Sequence, residues 1–482
     1  MSKLANLEPK AVFHYFEEMC AIPHGSGNME AISNYCMNFA KEHNLEATQD
    51  EARNVVIVKE ATPGYEQAPT VMLQGHLDMV CEKTDDCTID FQKDGLELAV
   101  NENYVYAKGT TLGGDNAIAV AMALAILADD SLEHPRLECV FTVDEEIGLL
   151  GAGALDTAGL EAKYLINIDS EEEGVFTVSC AGGMRKNCLL PLTWQETEGI
   201  CYHITIDGLL GGHSGAEIHK EHGNSNMLMG RLLNALDEKV NFLLADLHGG
   251  LADNAIPRRT DAVVYIKEED TALFEETIAA YDGIYKNEFR SNDSGVTVSC
   301  IKEGIKNGKT LTSKCQSLLL FLLHMVPNGV QRMSVEIEDL VQTSLNLGIL
   351  QMDEAYARVS FSIRSSVESE KRALADRLTH CVEFLGGISE ETGAYPGWEY
   401  KKDSPLRDTM VRVYEKQYGK EAKVIALHAG LECGIFSGKM EGLDCISIGP
   451  ELHDIHTPQE RLGIASTKRV YEFLIEVLKE LK

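Results

Sequence analysis

Residues 70–80 read TVMLQGHLDMV, a short apolar run followed directly by a histidine and an aspartate. An apolar run followed by acidic residues occurs again at residues 137–148, LECVFTVDEEIG, and at residues 164–174, YLINIDSEEEG. Helical patterns lie between such runs, and this alternation is typical of a sheet with helices packed on its faces. Because open α/β sheets bind ligands beyond the carboxyl ends of their strands, we expect the three polar clusters to share one cleft. The predicted strands are Asn54–Val58, Thr70–Gln74, Leu137–Val143 and Tyr164–Ile168.

The sequence pattern changes twice along the 482 residues, a length sufficient for two or three domains. Residues 1–185 carry the strand and helix alternation. Residues 186–398 combine alternating strands, Gly-rich turns and amphipathic helices, and residues 399–482 return to buried strands and a final amphipathic helix. We therefore predict an α/β domain with a mixed sheet and helices on both faces, interrupted by an inserted α+β domain at 186–398.

Composition and charge exclude several classes of protein. The chain has 43 Lys and Arg against 76 Asp and Glu, a formal net charge of −33, so nucleic acids and anionic membranes are not expected partners. The longest apolar run, Ala117–Ala128, is shorter than the about 20 residues of a membrane span and predicts a buried helix. Without a signal-peptide pattern, and with 13 cysteines that form no CxxC pair, we expect a cytoplasmic protein with reduced thiols.

The first polar cluster contains His76 and Asp78, separated by one residue. In an extended backbone the two side chains lie on the same side, where an aspartate can hydrogen-bond the second ring nitrogen of a metal-bound histidine. An HxD pair alone is more often a surface or capping arrangement, so further ligands are required for a metal site.

The stretch at residues 109–116, GTTLGGDN, precedes the long apolar helix. Either Asp115 or Asn116 is suited to cap this helix, but the glycines at 113 and 114 also permit a sharp turn and a close approach to a ligand. A phosphate-binding loop is the other alternative, although the GxxxxGK[ST] pattern is missing.

Carboxylates follow the next two strands. Three adjacent ones, Asp144, Glu145 and Glu146, are costly at the end of a buried strand unless a cation neutralises them or one stays protonated. A solvated loop is the alternative interpretation. Asp169 supplies one more carboxylate after the following strand.

Two histidines occur near the C-terminus in residues 447–460, SIGPELHDIHTPQE. On spacing alone, either His453 or His456 is a possible ligand. Imidazole and carboxylate donors without a nearby cysteine pair indicate zinc, manganese or a similar divalent ion.

Ten sequence blocks, taken in order, resemble those of the aminoacyl-histidine dipeptidases, which are cytosolic dizinc enzymes of the superfamily that also contains aminoacylase and glutamate carboxypeptidase. The blocks are HLDMV, GTTLGGDN, DEEIG, INIDSEEEG, CAGG, GGHSGAEIH, NAIPR, AYPGW, HAGLECG and SIGP. The resemblance extends from Phe13 to the last helix. It implies hydrolysis of unblocked dipeptides, preferentially Xaa-His, by a catalytic domain formed by residues 1–185 and 399–482. It also implies a lid domain at 186–398 through which two chains form a homodimer.

The resemblance further implies a site with two Zn²⁺ ions, for which Mn²⁺ or Co²⁺ are possible substitutes. The implied metal ligands are Asp115 as the bridge, His76 and Asp169 on one ion, and Glu146 and His456 on the other. His456 is preferred to His453 because HTPQE matches the HxPxE pattern of the family. Glu145 is the implied general base, Asp78 orients His76, and a cis peptide bond is expected at Asp115–Asn116.

The inserted domain is expected to bind the substrate. The resemblance implies that His213 stabilises the oxyanion, that Asn254 and Arg364 hold the C-terminal carboxylate, and that Gly430 lets backbone lie against the ligand. From the residues alone, His213 is a turn histidine, Arg364 is an ordinary strand-end arginine and Gly430 is a turn glycine. Two alternatives remain open: an N-acyl amino acid deacylase or carboxypeptidase of the same superfamily, and an inactive, metal-dependent peptide-binding protein.

Overall fold

The computed structural model describes residues 2–482. The α-helices are α1 Lys10–Cys20, α2 Glu30–Glu42, α3 Gly114–Ala128, α4 Leu150–Ala154, α5 Ser225–Asp237, α6 Thr271–Glu288, α7 Ser313–Met325, α8 Glu368–Phe384, α9 Pro405–Tyr418, α10 Glu432–Lys439 and α11 Ile464–Glu480. The β-strands are β1 Glu46–Gln49, β2 Val55–Lys59, β3 Val71–His76, β4 Leu98–Val100, β5 Tyr104–Ala107, β6 Leu137–Thr142, β7 Tyr164–Asn167, β8 Val175–Cys180, β9 Gly182–Pro191, β10 Trp194–Asp207, β11 Gly212–His213, β12 Phe242–Gly249, β13 Ala255–Ile256, β14 Thr260–Ile266, β15 Thr297–Leu311, β16 Gly329–Met333, β17 Val341–Met352, β18 Tyr356–Ser365, β19 Ile388–Tyr395, β20 Lys423–Leu427, β21 Asp444–Ser447, β22 Leu452–His453 and β23 Arg461–Gly463.

The chain divides into two compact units. The first unit comprises the residues up to Cys180, Trp398–Ala426 and Leu431–Lys482. The second unit comprises Ala181–Gly397 and Leu427–Gly430. The short segment Leu427–Gly430 therefore belongs to the second unit, whereas the sequence-based division assigns it to the last range, 399–482.

A mixed eight-stranded sheet, in the order β1-β2-β6-β3-β7-β21-β8-β20, forms the centre of the first unit. The strands β6, β3, β7 and β21 run parallel to one another, while β2 pairs with β6 and β8 pairs with β21 antiparallel. The four predicted strands are confirmed as β2, β3, β6 and β7, with ends that differ by at most two residues. Since β3, β6 and β7 are parallel, their carboxyl ends lie at one edge of the sheet, where the polar clusters follow.

The core of the first unit is built around α3, whose residues Ala117–Leu127 are all buried. This confirms the buried helix predicted from the apolar run at 117–128. The helix packs against β3 and α1, and each fully buried Leu or Ile side chain there contributes about 1.5–3 kcal/mol. Among residues 2–482, no helix combines the length and apolarity needed to cross a bilayer.

The second unit contains an antiparallel sheet in the order β15-β10-β14-β12-β17-β18-β9-β19, with β16 added at β17. Its core is formed by the apolar faces of this sheet and of α5, α6, α7 and α8. A separate two-stranded sheet joins β11 to β13. The predicted α/β class with an inserted α+β unit is therefore confirmed.

Candidate metal centre and active site

Three strand ends and two loops of the first unit bring the five expected ligands together. His76 is the last residue of β3, while Glu146 and Asp169 follow the parallel strands β6 and β7. Asp115 lies at the glycine-rich turn that starts α3, and His456 lies in the loop after β22. The sheet edge predicted to form one cleft thus carries the whole set.

The five side chains form two halves joined by one carboxylate. His76 Nε2 lies 3.0 Å from Asp115 Oδ1 and 3.6 Å from Asp169 Oδ1. His456 Nε2 lies 3.3 Å from the other oxygen of Asp115, Oδ2, and 3.0 Å from Glu146 Oε1. Each oxygen of Asp115 therefore faces a different histidine, which is the arrangement of a bridging ligand.

These separations test whether the residues fit metal ions. Donor atoms bound to one tetrahedral zinc at roughly 2.0–2.1 Å lie about 3.3 Å from each other, and the observed distances of 3.0–3.6 Å bracket this value. Ligand atoms of His76, Asp115 and Glu146 all lie within 4.8 Å of one another. The donors are imidazole nitrogens and carboxylate oxygens, and the set fits two divalent cations that share Asp115.

His453, the other histidine of the C-terminal loop, lies outside this cluster. Its ring packs edge-on against Tyr104, with the ring centroids 5.6 Å apart, and its Nε2 faces Glu451 at 3.8 Å. The geometry therefore favours His456 as the ligand, in agreement with the HxPxE pattern.

The electrostatics of the site also favour the binding of cations. Burial raises the pKa of Asp169 to about 7, an effect to which Asp115 and Glu432 add. Burial, with the neighbouring carboxylates of Asp169 and Glu432, also raises the pKa of Glu145 well above its usual range. Several carboxylates crowded in a buried site are stable as anions only beside cations.

Asp78 connects His76 with the turn that carries the carboxylates. His76 Nδ1 lies 3.0 Å from the carbonyl oxygen of Asp78 and 3.4 Å from its Oδ1. The Asp78 carboxylate also accepts hydrogen bonds from the backbone N–H groups of Glu145, at 3.0 Å, and Glu146, at 3.2 Å. Asp78 is therefore placed to orient both the imidazole and the turn.

The turn before α3 is held by hydrogen bonds of Asn116 and Glu460. The peptide bond Asp115–Asn116 is cis, as predicted. Asn116 Oδ1 accepts a hydrogen bond from the backbone N–H of His76 at 3.1 Å. The buried Glu460 accepts hydrogen bonds from the N–H groups of Leu112 at 2.7 Å and Gly113 at 3.1 Å. The sequence could have pointed to Glu460, because it is the glutamate of the HTPQE block.

Glu432, at the start of α10, is a second carboxylate that the sequence analysis did not identify. It is fully buried, and its Oε2 accepts hydrogen bonds from Gln74 Nε2 and, at 2.7 Å, from Thr142 Oγ1. Gln74 Oε1 in turn accepts a hydrogen bond from Asn167 Nδ2 at 2.6 Å. Gln74, Thr142 and Asn167 belong to β3, β6 and β7, so this network links the three strands that lead to the ligands.

We expect Glu432→Ala to destabilise the protein, because Gln74 Nε2 and Thr142 Oγ1 lose their shared acceptor and keep only longer hydrogen bonds, to Thr142 Oγ1 at 3.2 Å and to Gly75 O at 3.4 Å. Each lost hydrogen bond costs about 0.5–1.5 kcal/mol, so thermal unfolding should occur at a lower Tm. Glu432→Gln retains an acceptor oxygen and should lose less. Glu441→Ala, at an exposed position after α10, is the matched control. An unchanged Tm for Glu432→Ala would show that the network does not stabilise the sheet.

The second unit positions the expected substrate-binding residues. Arg364, on β18, is buried, and its Nη1 donates a hydrogen bond to Tyr395 Oη at 3.3 Å. Among residues 2–482, nothing accepts a hydrogen bond from Arg364 Nε. A Cβ on Gly430 would lie 2.8 Å from the Tyr395 ring, so a side chain there would displace this ring. Asn254 is exposed, and its carbonyl oxygen accepts a hydrogen bond from Ser214 N–H at 2.8 Å.

His213 lies in the same part of the second unit, on β11. A Cβ built on Gly215 would lie 3.0 Å from His213 Cε1 and 3.1 Å from Arg364 Nε, so the ring and the guanidinium flank the same glycine. Burial and the charge of Arg364 lower the pKa of His213. Burial and the same charge lower the pKa of the nearby His428 to about 3. Arg364 is therefore the cation of this cluster, and the two imidazoles stay neutral at neutral pH.

Known proteins resemble this chain over most or all of its length. Residues 72–480 match the model of the peptidase family M20/M25/M40. The chain is 36% identical, over 484 aligned residues, to the cytosol non-specific dipeptidase of Escherichia coli K12, covering 100% of this chain and 99% of that protein.

Two solved structures share the fold. The aminoacylhistidine dipeptidase of Vibrio alginolyticus superposes with a TM-score of 0.94 at 34% identity, covering 100% of this chain and 98% of that one. The aminopeptidase PepT of Bacillus cereus superposes with a TM-score of 0.56 at 13% identity, covering 98% and 99% respectively, which shows a common fold alone. The resemblance inferred from the sequence blocks is thereby confirmed, and the chain is an enzyme that belongs to the peptidase family M20/M25/M40.

Proposed function

We propose that this enzyme is a cytoplasmic metallo-dipeptidase that hydrolyses unblocked dipeptides, preferentially Xaa-His. The observation that carries the proposal is the pair of histidines, His76 and His456, joined through the two oxygens of Asp115 beside the free carboxylate of Glu145. The names of the two full-length relatives, a cytosol dipeptidase and an aminoacylhistidine dipeptidase, support the substrate class and the compartment.

We assign the cluster to two zinc ions. Asp115 would bridge them, His76 and Asp169 would complete one site, and Glu146 and His456 would complete the other. Such ions, when bound, polarise a peptide carbonyl group and make a coordinated water a stronger acid. The carboxylates of the cluster offset the ionic charge, and Asp78 keeps the His76 ring in the orientation required for binding.

Glu145 is the proposed general base and acid. It is the one carboxylate of the 144–146 turn that neither binds a backbone N–H, as Asp144 does at Gly27, nor faces a histidine of the cluster, as Glu146 does. Burial raises its pKa, which brings its proton affinity closer to that of the groups it serves at neutral pH. It would take a proton from the attacking water and deliver it to the leaving amine.

The second unit is proposed to bind the C-terminal residue of the substrate. The Arg364 guanidinium has a donor, Nε, with no acceptor among residues 2–482, and a carboxylate would supply one. Asn254 would add an amide donor to the same carboxylate, and Gly430 would let the backbone approach it.

His213 is suited to stabilise an oxyanion. Its Nδ1 accepts hydrogen bonds from the backbone N–H groups of Gly215, at 3.3 Å, and Ala216, at 3.1 Å. In the neutral ring the proton is then on Nε2, which is left as a donor. Since burial and Arg364 lower the pKa of this histidine, it would act as a neutral donor rather than as a cation. A homodimer formed through this unit stays a prediction.

The decisive experiment measures histidine released from four compounds by chromatography. We expect cleavage of Ala-His and β-alanyl-histidine. N-acetyl-Ala-His, which lacks a free amine, and Ala-Ala-His, whose amine lies one residue further from the bond that releases histidine, should not be cleaved. Activity should disappear on treatment with a chelator and return with zinc, Mn²⁺ and Co²⁺ being tested as substitutes.

Each other result selects an alternative. Cleavage of the acetylated compound would identify a deacylase, and cleavage of the tripeptide would identify a carboxypeptidase or a tripeptidase. A metal-loaded sample that binds dipeptides without cleaving any of them would identify an inactive binding protein.

A further inference from the structure

We propose that Asp293, a carboxylate of the second unit, is a positioning residue for His213. It holds residues 210–223, named the His213 loop, in the conformation that places the imidazole ring for oxyanion stabilisation. This inference rests on the proposed dipeptidase function, in which the neutral His213 ring donates a hydrogen bond from Nε2. Asp293 lies between α6 and β15, and it is fully buried.

The two oxygens of the Asp293 carboxylate bind the two ends of the His213 loop. Oδ1 accepts a hydrogen bond from the backbone N–H of Leu210 at 2.5 Å, and Oδ2 accepts one from the backbone N–H of Gly223 at 2.7 Å. Hydrogen bonds to an ionised acceptor are roughly twice as strong as those between neutral groups. A single carboxylate therefore closes the loop at its base.

Asp293 is itself fixed by its backbone and by a third contact of its carboxylate. Its N–H donates to Phe289 O at 2.9 Å, and its carbonyl oxygen accepts from Val296 N–H at 3.0 Å. His222 Nδ1 lies 3.3 Å from Asp293 Oδ2 and 3.2 Å from Asn292 O, and it carries a proton because both of these atoms are acceptors. Among residues 2–482, every donor to this buried carboxylate belongs to the His213 loop. The carboxylate and the loop therefore depend on each other, since a buried charge is stable only when it is paired.

The His213 loop requires such a clamp because its own backbone is costly to order. Gly211 and Gly212, directly before His213, have φ values of 72° and 140°, and glycine loses more conformational freedom on folding than any other residue. The middle of the loop pairs with β13 over two residues only. Binding both ends of the loop reduces the conformations open to the backbone between them. The position of the His213 ring therefore depends on Asp293, although the two side chains are not in contact through any hydrogen bond of residues 2–482.

Asp293→Asn tests this role, because it replaces one acceptor oxygen by an NH₂ group that faces a backbone N–H and so releases one end of the loop. We expect kcat for Ala-His to fall by about 10- to 100-fold while KM changes by less than about threefold, since oxyanion stabilisation acts in the transition state and not on the bound substrate. Asp282→Asn is the matched control. The Asp282 carboxylate accepts a hydrogen bond from Val298 N–H at 2.9 Å in the same unit, outside the His213 loop, and this variant should change neither value.

A double-mutant cycle distinguishes positioning of His213 from general damage to the second unit. In a His213→Ala background, Asp293→Asn should lower kcat by less than a further factor of about two, because the ring through which it acts is absent. General damage would lower kcat by the same factor in both backgrounds. That result would overturn the proposal, and so would an unchanged kcat in Asp293→Asn or an equal loss in Asp282→Asn.

A hydrogen-exchange measurement on the unmodified enzyme covers the case in which Asp293→Asn does not fold. The backbone N–H groups of Leu210 and Gly223 should exchange at least about tenfold more slowly than in an unstructured peptide, because the Asp293 carboxylate binds both of them. Mass spectrometry with residue-level fragmentation reads the two positions separately. Exchange of either group at the unprotected rate would show that the clamp does not exist.

The outcomes also separate this inference from the proposed function. If the unmodified enzyme cleaves no dipeptide, the proposed function itself fails, whatever the variants do. If it cleaves Ala-His and His213→Ala keeps the wild-type kcat, the roles of His213 and Asp293 are both wrong while the dipeptidase function stands.

Discussion

Replacing Glu145 by glutamine is expected to lower kcat by about 10²–10⁴-fold while the bound metal is retained. The substitution keeps the size of the side chain and the backbone N–H that donates to Asp78, so the turn should keep its shape. What it removes is the basic carboxylate, and an amide can neither accept the proton of the attacking water nor return it to the leaving amine. Steady-state kinetics with Ala-His and metal analysis of the purified variant measure the two parts of this prediction.

Glu172→Gln serves as the control, because Glu172 is an exposed carboxylate on a neighbouring loop of the first unit. It should retain full activity and full metal content. If Glu145→Gln loses metal together with activity, Glu145 is a ligand rather than the base. If the variant keeps wild-type turnover, the role assigned to Glu145 is wrong.

The metal cluster could be predicted from the sequence because most of its members sit at strand ends that are visible locally. Each of β3, β6 and β7 is a short apolar run, and the polar residue after it marks the edge of the sheet. Parallel strand order then brings His76, Asp169 and the carboxylates of residues 144–146 to one place. The choice of Glu146 among these carboxylates came from the resemblance to the family. His456 needed the comparison with the HxPxE pattern, since the spacing of the two histidines does not distinguish them.

The supporting residues could not be predicted in the same way, because they act through tertiary contacts. Glu432 accepts a hydrogen bond from Gln74, 358 residues away in the sequence, and no local pattern around either position predicts this contact. Its neighbour in sequence, Cys433, attracts attention as a possible nucleophile, but burial raises the pKa of this thiol well above its usual range and keeps it protonated. Buried polar networks are therefore found by structure rather than by sequence patterns.

In the second unit, the sequence alone gives little reason to select Arg364, and the structure supplies a physical one. Arg364 reads as an ordinary strand-end arginine, yet it is buried with a free Nε and lies beside two imidazoles whose pKa values it helps to lower. Keeping a guanidinium in such a place without a carboxylate is unfavourable unless a ligand supplies one. This burial supports the proposed role of Arg364 in binding the carboxylate of the substrate.

Asp115→Asn should remove at least one of the two metal ions and with it the activity. The two oxygens of Asp115 face different histidines, at 3.0 Å and 3.3 Å, and only a carboxylate offers two ligand atoms in these directions. Asparagine offers one oxygen and one NH₂ group, which carries no available lone pair for a metal. We therefore expect two ions per chain in the wild type and one or none in the variant, measured by plasma mass spectrometry.

Thermal unfolding gives an independent measure of the same effect. Ions that bind only the folded state stabilise it by mass action, so a chelator should lower the Tm of the wild type and shift that of Asp115→Asn much less. Asp408→Asn, at an exposed position on α9, should behave as the wild type does in both assays. A variant that still binds two ions would show that Asp115 does not bridge them, and the shared carboxylate would then have to be sought in Asp169 or Glu146, which each face only one histidine.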